Sequence, residues 1–347
     1  MAELLLELYS EEIPPQLQIS ARSQIKQFIE NSFEEDNIKY KEILVYSSPT
    51  RLTLFVKDLV EKIKIEAKEI KGPKVGSPDQ VIQGFLRAKN VSQKDLIEKD
   101  TDKGKFYFIK TQSQSILVED LLIETIPKAI GSINWKKSMK WSDHSLMWGR
   151  PLRSIFAMFN NKKLSFKIDH LETIDKIIIE QDLITKTKKI KDFKEYLSFL
   201  KSNKIIVDQN EREEIILKKI NALSQTKQYK RKLNLKLLEE VVNIVEDPNI
   251  LQVSFSKNYL EIPQEIIIST LEKHQRYFPI FDNRDRLTNY FFVVANKKDE
   301  KKLITQGNKR VVEARLADAK FFWDKDRSKN LIKQIANLKS VTFYEKL

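Results

Sequence analysis

A chain of 347 residues, 41% of them hydrophobic, is long enough for two or three domains with packed cores. It has no cysteine, which excludes disulfides, thiolate nucleophiles and cysteine-based zinc sites. Its formal net charge of +13 points to a polyanionic partner, because lysine and arginine displace counterions condensed on phosphates, although a lysine-rich compositional bias would give the same total.

The N-terminus carries acids at Glu3, Glu7, Glu11 and Glu12, where a signal peptide is positive, so a cytoplasmic protein is expected. Apolar runs such as Leu4–Leu6 fall far short of the ~20 residues of a membrane span. Glu3–Tyr9 reads as a strand. Pro14 and Pro15 suit the first turn of a helix, and Leu17, Ala21, Ile25, Phe28 and Ile29 follow at helical spacing. Ile43–Tyr46 and Leu52–Asp58 read as strands joined across Ser47–Arg51. Lys71–Pro78 is a Lys/Gly/Pro loop, followed by a helix near Gln80–Lys89, a strand near Phe106–Thr111 and a helix near Val118–Ile130. Trp135, Trp141 and Trp148 punctuate a lysine-rich stretch, as core or subunit-interface anchors rather than base-stacking platforms, and Leu152–Phe159 returns as a strand.

From about Lys186 to Glu246 the pattern is helical, charged and nearly free of Gly and Pro. Strands are predicted at Ile250–Phe255, Tyr277–Phe281 and Tyr290–Ala295. Two helices follow over Asp299–Gln306 and Lys309–Asp324, with Gly307 ending the first. Lys297–Leu347 holds 14 Lys and Arg against 7 Asp and Glu, so +7 of the net charge lies in the last seventh of the chain. The expected fold class is α+β and multidomain, with mixed short sheets and a helix-rich middle segment. The expected units are an α+β domain over 1–165, a helix-rich connection over 166–246, and an α+β region over 247–347 that ends in basic helices.

Catalytic motifs are lacking. The seven glycines are too scattered for a dinucleotide fingerprint or a P-loop, and no G-x-S-x-G elbow occurs. His144, His170 and His274 lie far apart in sequence, so a metal site would have to be mainly carboxylate, and none is expected. No catalytic residue is assigned.

Three segments are specific. They are Leu4–Pro15 (LLLELYSEEIPP), Leu271–Ile280 (LEKHQRYFPI) with Val293-Val294-Ala295-Asn296 soon after, and Gly307–Trp323 (GNKRVVEARLADAKFFW). Together they resemble the beta subunit of the bacterial two-subunit glycyl-tRNA synthetase, with its E-E-(I/L)-P-P, H-Q-x-Y-F, V-A-N and G-N-x-R-V-x-x-A-R-L-x-D-A-x-F-F segments. Shorter matches fall in the same order at Ser48–Leu52, Lys71–Pro73, Met139–Trp141 and Arg150–Arg153. The family's G-H-R-F-like segment is missing near Leu171–Asp182. The chain stops at Phe343–Leu347, about halfway through a typical member, without the HD-type and anticodon-binding domains.

The resemblance implies a non-catalytic subunit that binds tRNA(Gly) and assembles with an alpha subunit as an alpha2beta2 tetramer. Glycine activation with ATP and Mg would then occur on alpha, with no cofactor on this chain. The candidate tRNA-binding residues are Arg51, Lys71, Lys74, Lys273, His274, Arg276, Lys309, Arg310 and Arg315. Each has a bland counterpart. Arg310 and Arg315 either contact phosphates or pair with Glu313, Asp318 or Asp324, and pairing is favoured. His274 and Gln275 either meet unpaired bases or satisfy backbone groups where a helix hands over to a strand. Alternatives to the synthetase role are a stand-alone RNA-binding or protein-interaction fragment, and an enzyme with an unrecognised carboxylate site.

Overall fold

The computed structural model describes residues 2–338 apart from 66–68, 90, 103, 111–112, 228, 231, 329, 331, 333–334 and 336–337. The fold is α+β, as its patterning predicts. Strand β1 (Ala2–Ser10) sits inside a sheet with β2 (Glu42–Ser48) and β3 (Arg51–Leu59), which form a hairpin turning at Pro49-Thr50. Helix α1 (Pro15–Glu35) starts on its proline and buries Leu17, Ala21, Ile25 and Ile29 against the even-numbered leucines of β1.

A small module follows, made of β4 (Lys62–Ile65), β5 (Glu69–Lys74), α2 (Asp79–Lys89), β6 (Leu96–Thr101), β7 (Gly104–Lys110) and β8 (Gln114–Leu117). Much of the expected Lys71–Pro78 loop is therefore strand. Lys71 pairs with Phe108, and the register shifts before Lys74, where Pro73 has no N–H to donate. The expected end of the next strand, Thr111, lies outside the described residues.

Helix α3 (Val118–Ser132) packs beside α1. The sheet then gains β9 (Leu152–Phe159), β10 (Lys162–Lys163), β11 (Lys167–Ile168) and β12 (Leu171–Ile174), in the order β11-β12-β9-β1-β3-β2 with β10 on β9. Strand β12 belongs to this sheet, which therefore continues past residue 165. Of the three tryptophans, Trp135 and Trp148 are core, edge to face at 4.7 Å, and Trp141 packs against the same cluster. Gly149 is what lets them close: a Cβ there would lie 2.5 Å from the Trp135 ring. Gly149→Ala is expected to cost about 1–3 kcal/mol, read as a lowered thermal midpoint with an altered near-UV tryptophan signal.

The second face of the sheet is covered by the hairpin β13 (Ile177–Gln181) and β14 (Ile184–Lys188) and by α4 (Phe193–Ser202). The middle segment is thus helical only from α4 onward, through α5 (Gln209–Thr226) and α6 (Leu235–Val242). The Leu171–Asp182 segment, which departs from the G-H-R-F pattern, supplies core residues Ile177 and Ile179.

The last unit is a sheet of β15 (Asn249–Ser254), β16 (Phe278–Phe281) and β17 (Leu287–Ala295), in the order β15-β17-β16. Alternation along β17 sends Phe292 toward α5 and α6. Phe291 and Val293 face α7 (Gln264–Ser269) and α8 (Leu303–Ser328) instead. Helix α8 is continuous through Gly307, which corrects the expected break. A mid-helix glycine costs only about 1 kcal/mol. Here the Asp299 carboxylate accepts the N–H groups of Ile304 and Thr305 at the start, while Val312 and Leu316 anchor the middle.

Candidate nucleic-acid interface

The nine candidate residues separate into one buried site and three surface sites. Arg51 is the buried one, with 2% of its surface exposed. It lies on a strand covered on both faces, opposite Tyr9 of β1 and near Glu7. Its Nε donates to Glu7 Oε2 at 3.1 Å, Nη1 to Thr50 Oγ1 at 2.8 Å and Nη2 to the Ile178 carbonyl at 2.5 Å. Tyr196 Oη donates to the same Glu7 oxygen at 2.7 Å, and Glu246 stands 4.0 Å from Arg51. Burial opposes charge on Arg51, but Glu7 and Glu246 outweigh it and hold its pKa above the ordinary value. A phosphate cannot reach these donors, so Arg51 is a structural residue. The signal for this was in the sequence: a carboxylate and a guanidinium on two paired apolar strands need one another.

A second buried arginine was missed altogether. Arg212 on α5 donates to the carbonyls of Val242, Ile206, Val207 and Ser47, and burial lowers its pKa to about 10. With Gln18 donating to Asn243 O and Arg22 to Asn243 Oδ1, it forms a polar seam between the first sheet and α5–α6.

The first surface site holds Lys71 and Lys74, both exposed on β5. The Lys71 ammonium sits 3.6 Å from the centroid of Phe106. The second is the one-turn π-helix Thr270–His274, where a helix hands over to β16. Lys273 and His274 are exposed there. Arg276, in the left-handed region at φ 62°, donates to Glu240 Oε1 at 2.6 Å and to the Lys273 carbonyl. Among the described residues, the side chain that donates to the backbone at this handover is that of Arg276 rather than His274 or Gln275.

The third site is α8, which packs against that same π-turn. Lys309, Arg310 and Arg315 are all exposed. Lys309 approaches Glu313 at 3.9 Å, whereas among the described residues Arg310 and Arg315 have no carboxylate within ion-pair distance. The pairing favoured from sequence is not formed. Burial raises the Tyr277 pKa, and Arg315 beside it partly offsets that rise. The fold thus places Lys273, His274 and Arg315 on one unit. Beyond Leu316 the helix turns apolar side chains outward: Phe321 and Phe322 are 61% and 58% exposed.

The structure also unites two residues that sequence separated. His144 and His170 stack at 3.5 Å, and with Asp169 they place three ligand-type atoms within 4.8 Å of one another. No spacing rule links positions 26 apart in an irregular segment, so only the fold shows this cluster. Parallel imidazole planes direct their in-plane lone pairs side by side, so one ion could be shared only after a ring turns.

No helix among the described residues is long and apolar enough to cross a membrane. The family profile described as "Glycyl-tRNA synthetase beta subunit" matches residues 4–347. The chain is 34% identical over 350 residues to the glycine–tRNA ligase beta subunit of Rickettsia felis, covering 100% of this chain and 53% of that one. It is 35% identical over 348 residues to the Rickettsia bellii (strain OSU 85-389) subunit and 36% identical over 349 to that of Rickettsia peacockii, with 53% and 52% of those chains covered. It spans about half the length of the curated relatives it matches. The chain belongs to the glycyl-tRNA synthetase beta subunit family.

Proposed function

We propose that this chain is the tRNA-binding and assembly part of a cytoplasmic glycyl-tRNA synthetase, working with an alpha subunit in an alpha2beta2 complex. The reaction served is ATP + glycine + tRNA → glycyl-tRNA + AMP + diphosphate. ATP and Mg act on the alpha subunit, which carries the chemistry, while the beta chain holds tRNA(Gly) in register with it. The observation that carries this reading is the family match from residue 4 to residue 347. The cationic side chains of the π-turn and α8 support it, since Lys273, Arg310 and Arg315 are exposed at the surface.

The test is co-expression of the 347-residue chain with the alpha subunit of a relative, with and without a polypeptide corresponding to the rest of that relative's beta subunit. Association with alpha, and glycylation that depends on this chain, are expected. Neither association nor tRNA binding would leave the stand-alone interaction protein as the better account. For the surface itself, reversing Arg310 and Arg315 to glutamate should weaken tRNA binding. It should also flatten the log–log salt dependence by roughly 0.7–0.9 for each phosphate no longer neutralised, measured by anisotropy across a salt series. Unchanged affinity and slope would remove α8 from the interface.

A further inference from the structure

In the module between β4 and β8, the three strands of the main sheet run in the order β5-β7-β6, and its two faces differ in kind. One face is sealed by α2: Ile82, Leu86 and Ile109 are buried, and Gly72 lies so close to Phe85 that a Cβ would sit 2.8 Å from its ring. The other face carries Phe106 and Phe108 on the central strand, both only partly buried, and Ile97, 42% exposed, on β6 opposite Phe108.

Lysines stand over these rings. Lys71 Nζ is 3.6 Å from the Phe106 centroid and Lys99 Nζ is 5.9 Å from that of Phe108, each reaching diagonally from an outer strand. Lys110 lies on the same face, opposite Glu69, and Glu69 already holds Lys99 at 2.6 Å. Among the described residues, Lys71, Lys99 and Lys110 thus lie on this face with Glu69, which contacts Lys99.

We infer that the open face of β5–β7 is a stacking platform for unpaired nucleotides of an RNA, with Phe106 and Phe108 beneath two bases and Lys71, Lys99 and Lys110 on the backbone phosphates. This deepens the proposed tRNA-binding role and rests on it. Rings two residues apart on a strand are about 6.7 Å apart, which leaves each free to take a separate splayed base. Aromatic faces stack on any base, and surrounding cations make the attraction selective for a polyanion. A protein partner burying the same rings would have to bury the lysine ammonium groups as well, which charge complementarity to phosphate avoids. An RNA duplex hides its base faces and would leave both rings unused.

The 347-residue chain is titrated with tRNA(Gly), with a short unstructured oligoribonucleotide carrying 2-aminopurine, and with a duplex of the same length. Two double variants are compared with it. Phe106→Leu/Phe108→Leu keeps the apolar cover but removes the stacking surface. Lys71→Gln/Lys99→Gln changes only exposed or partly exposed lysines. The parent chain should quench 2-aminopurine and prefer the single strand to the duplex. The leucine variant should lose roughly tenfold in affinity per ring with its salt slope unchanged. The glutamine variant should lower that slope by roughly 0.7 per lysine.

If the leucine variant does not fold, quenching by the parent chain and the slope of the glutamine variant still decide. A parent chain that binds the single strand without quenching, or variants within twofold of it, overturns the platform. In that case tRNA binding by the parent chain leaves the broader role standing. A chain that binds neither tRNA nor the alpha subunit overturns both.

Discussion

Replacing Arg51 by methionine is expected to lower the unfolding free energy by about 3–5 kcal/mol, because Glu7 is left ionised and buried between two packed layers. Burial already pushes the Glu7 carboxyl above its ordinary value of 4.5, with Arg51 and Tyr196 pulling it back. Removing Arg51 removes the larger of those pulls, so the folded-state pKa rises further. A carboxyl whose pKa is higher in the folded than in the unfolded chain favours folding below the unfolded value and loses that contribution as pH rises through the folded one. The deficit of the variant should therefore be small near pH 4.5 and grow toward neutrality. Urea unfolding across that range checks both size and direction. Glu7→Gln combined with Arg51→Met should recover much of the loss, since a neutral pair leaves no uncompensated charge. A pH-independent deficit would mean that Arg51 acts by volume alone.

The second large effect is expected at Arg212. Its guanidinium satisfies four backbone carbonyls from three different parts of the chain. Arg212→Met retains the side-chain stem yet orphans these acceptors, at a cost of about 3–5 kcal/mol. Arg212→Lys should restore less than half, because a point ammonium cannot cover a planar fork of acceptors. The substitution should also uncouple the regions that Arg212 joins. Ser47 belongs to the first sheet and Val242 to α6, so the variant should unfold in two steps, with tryptophan fluorescence in a Trp323→Phe background reporting the first unit and amide exchange in α6 the other. A single transition with an unchanged midpoint would show that the other hydrogen bonds of the seam suffice.

How far the sequence revealed this molecule depends on the range of the interactions that decide each part. Strand β1, helix α1 and the β2–β3 hairpin follow from period and turn chemistry, and Pro15 begins its helix as local rules require. The module sheet was half seen. The segment near Phe106–Thr111 read as a strand, but Lys71 and Lys99 became its neighbours only through pairing, and the Gly72-Pro73 step masked β5 as a loop. Gly307 is a fair stop signal that tertiary packing of Val312 and Leu316 overrides. At the interface, charge could nominate Arg51, Arg310 and Arg315 alike. Sorting them needed the fold, since Arg51 is spent on Glu7 while the two helical arginines point to solvent. The family, by contrast, was readable at once, because long motifs such as the one around Arg310 fix identity without fixing roles.

The buried network at Glu7 also imposes an order on how the molecule can come into being. Glu7 leaves the ribosome before every group that completes its surroundings. Arg51 and then Tyr196 satisfy it, and Arg51 in turn approaches Glu246, which lies 239 positions after Glu7. Until those segments emerge, the central strand of the first sheet carries a carboxylate with no complete shell. Closure of the sheet must therefore wait on partners of very long sequence separation, the kind of pairing that slows folding. A nascent chain halted before residue 196 should hold β1 in an open, protease-sensitive form, and one extended past residue 246 should close it. Strand β1 is made well before the segments that finish it.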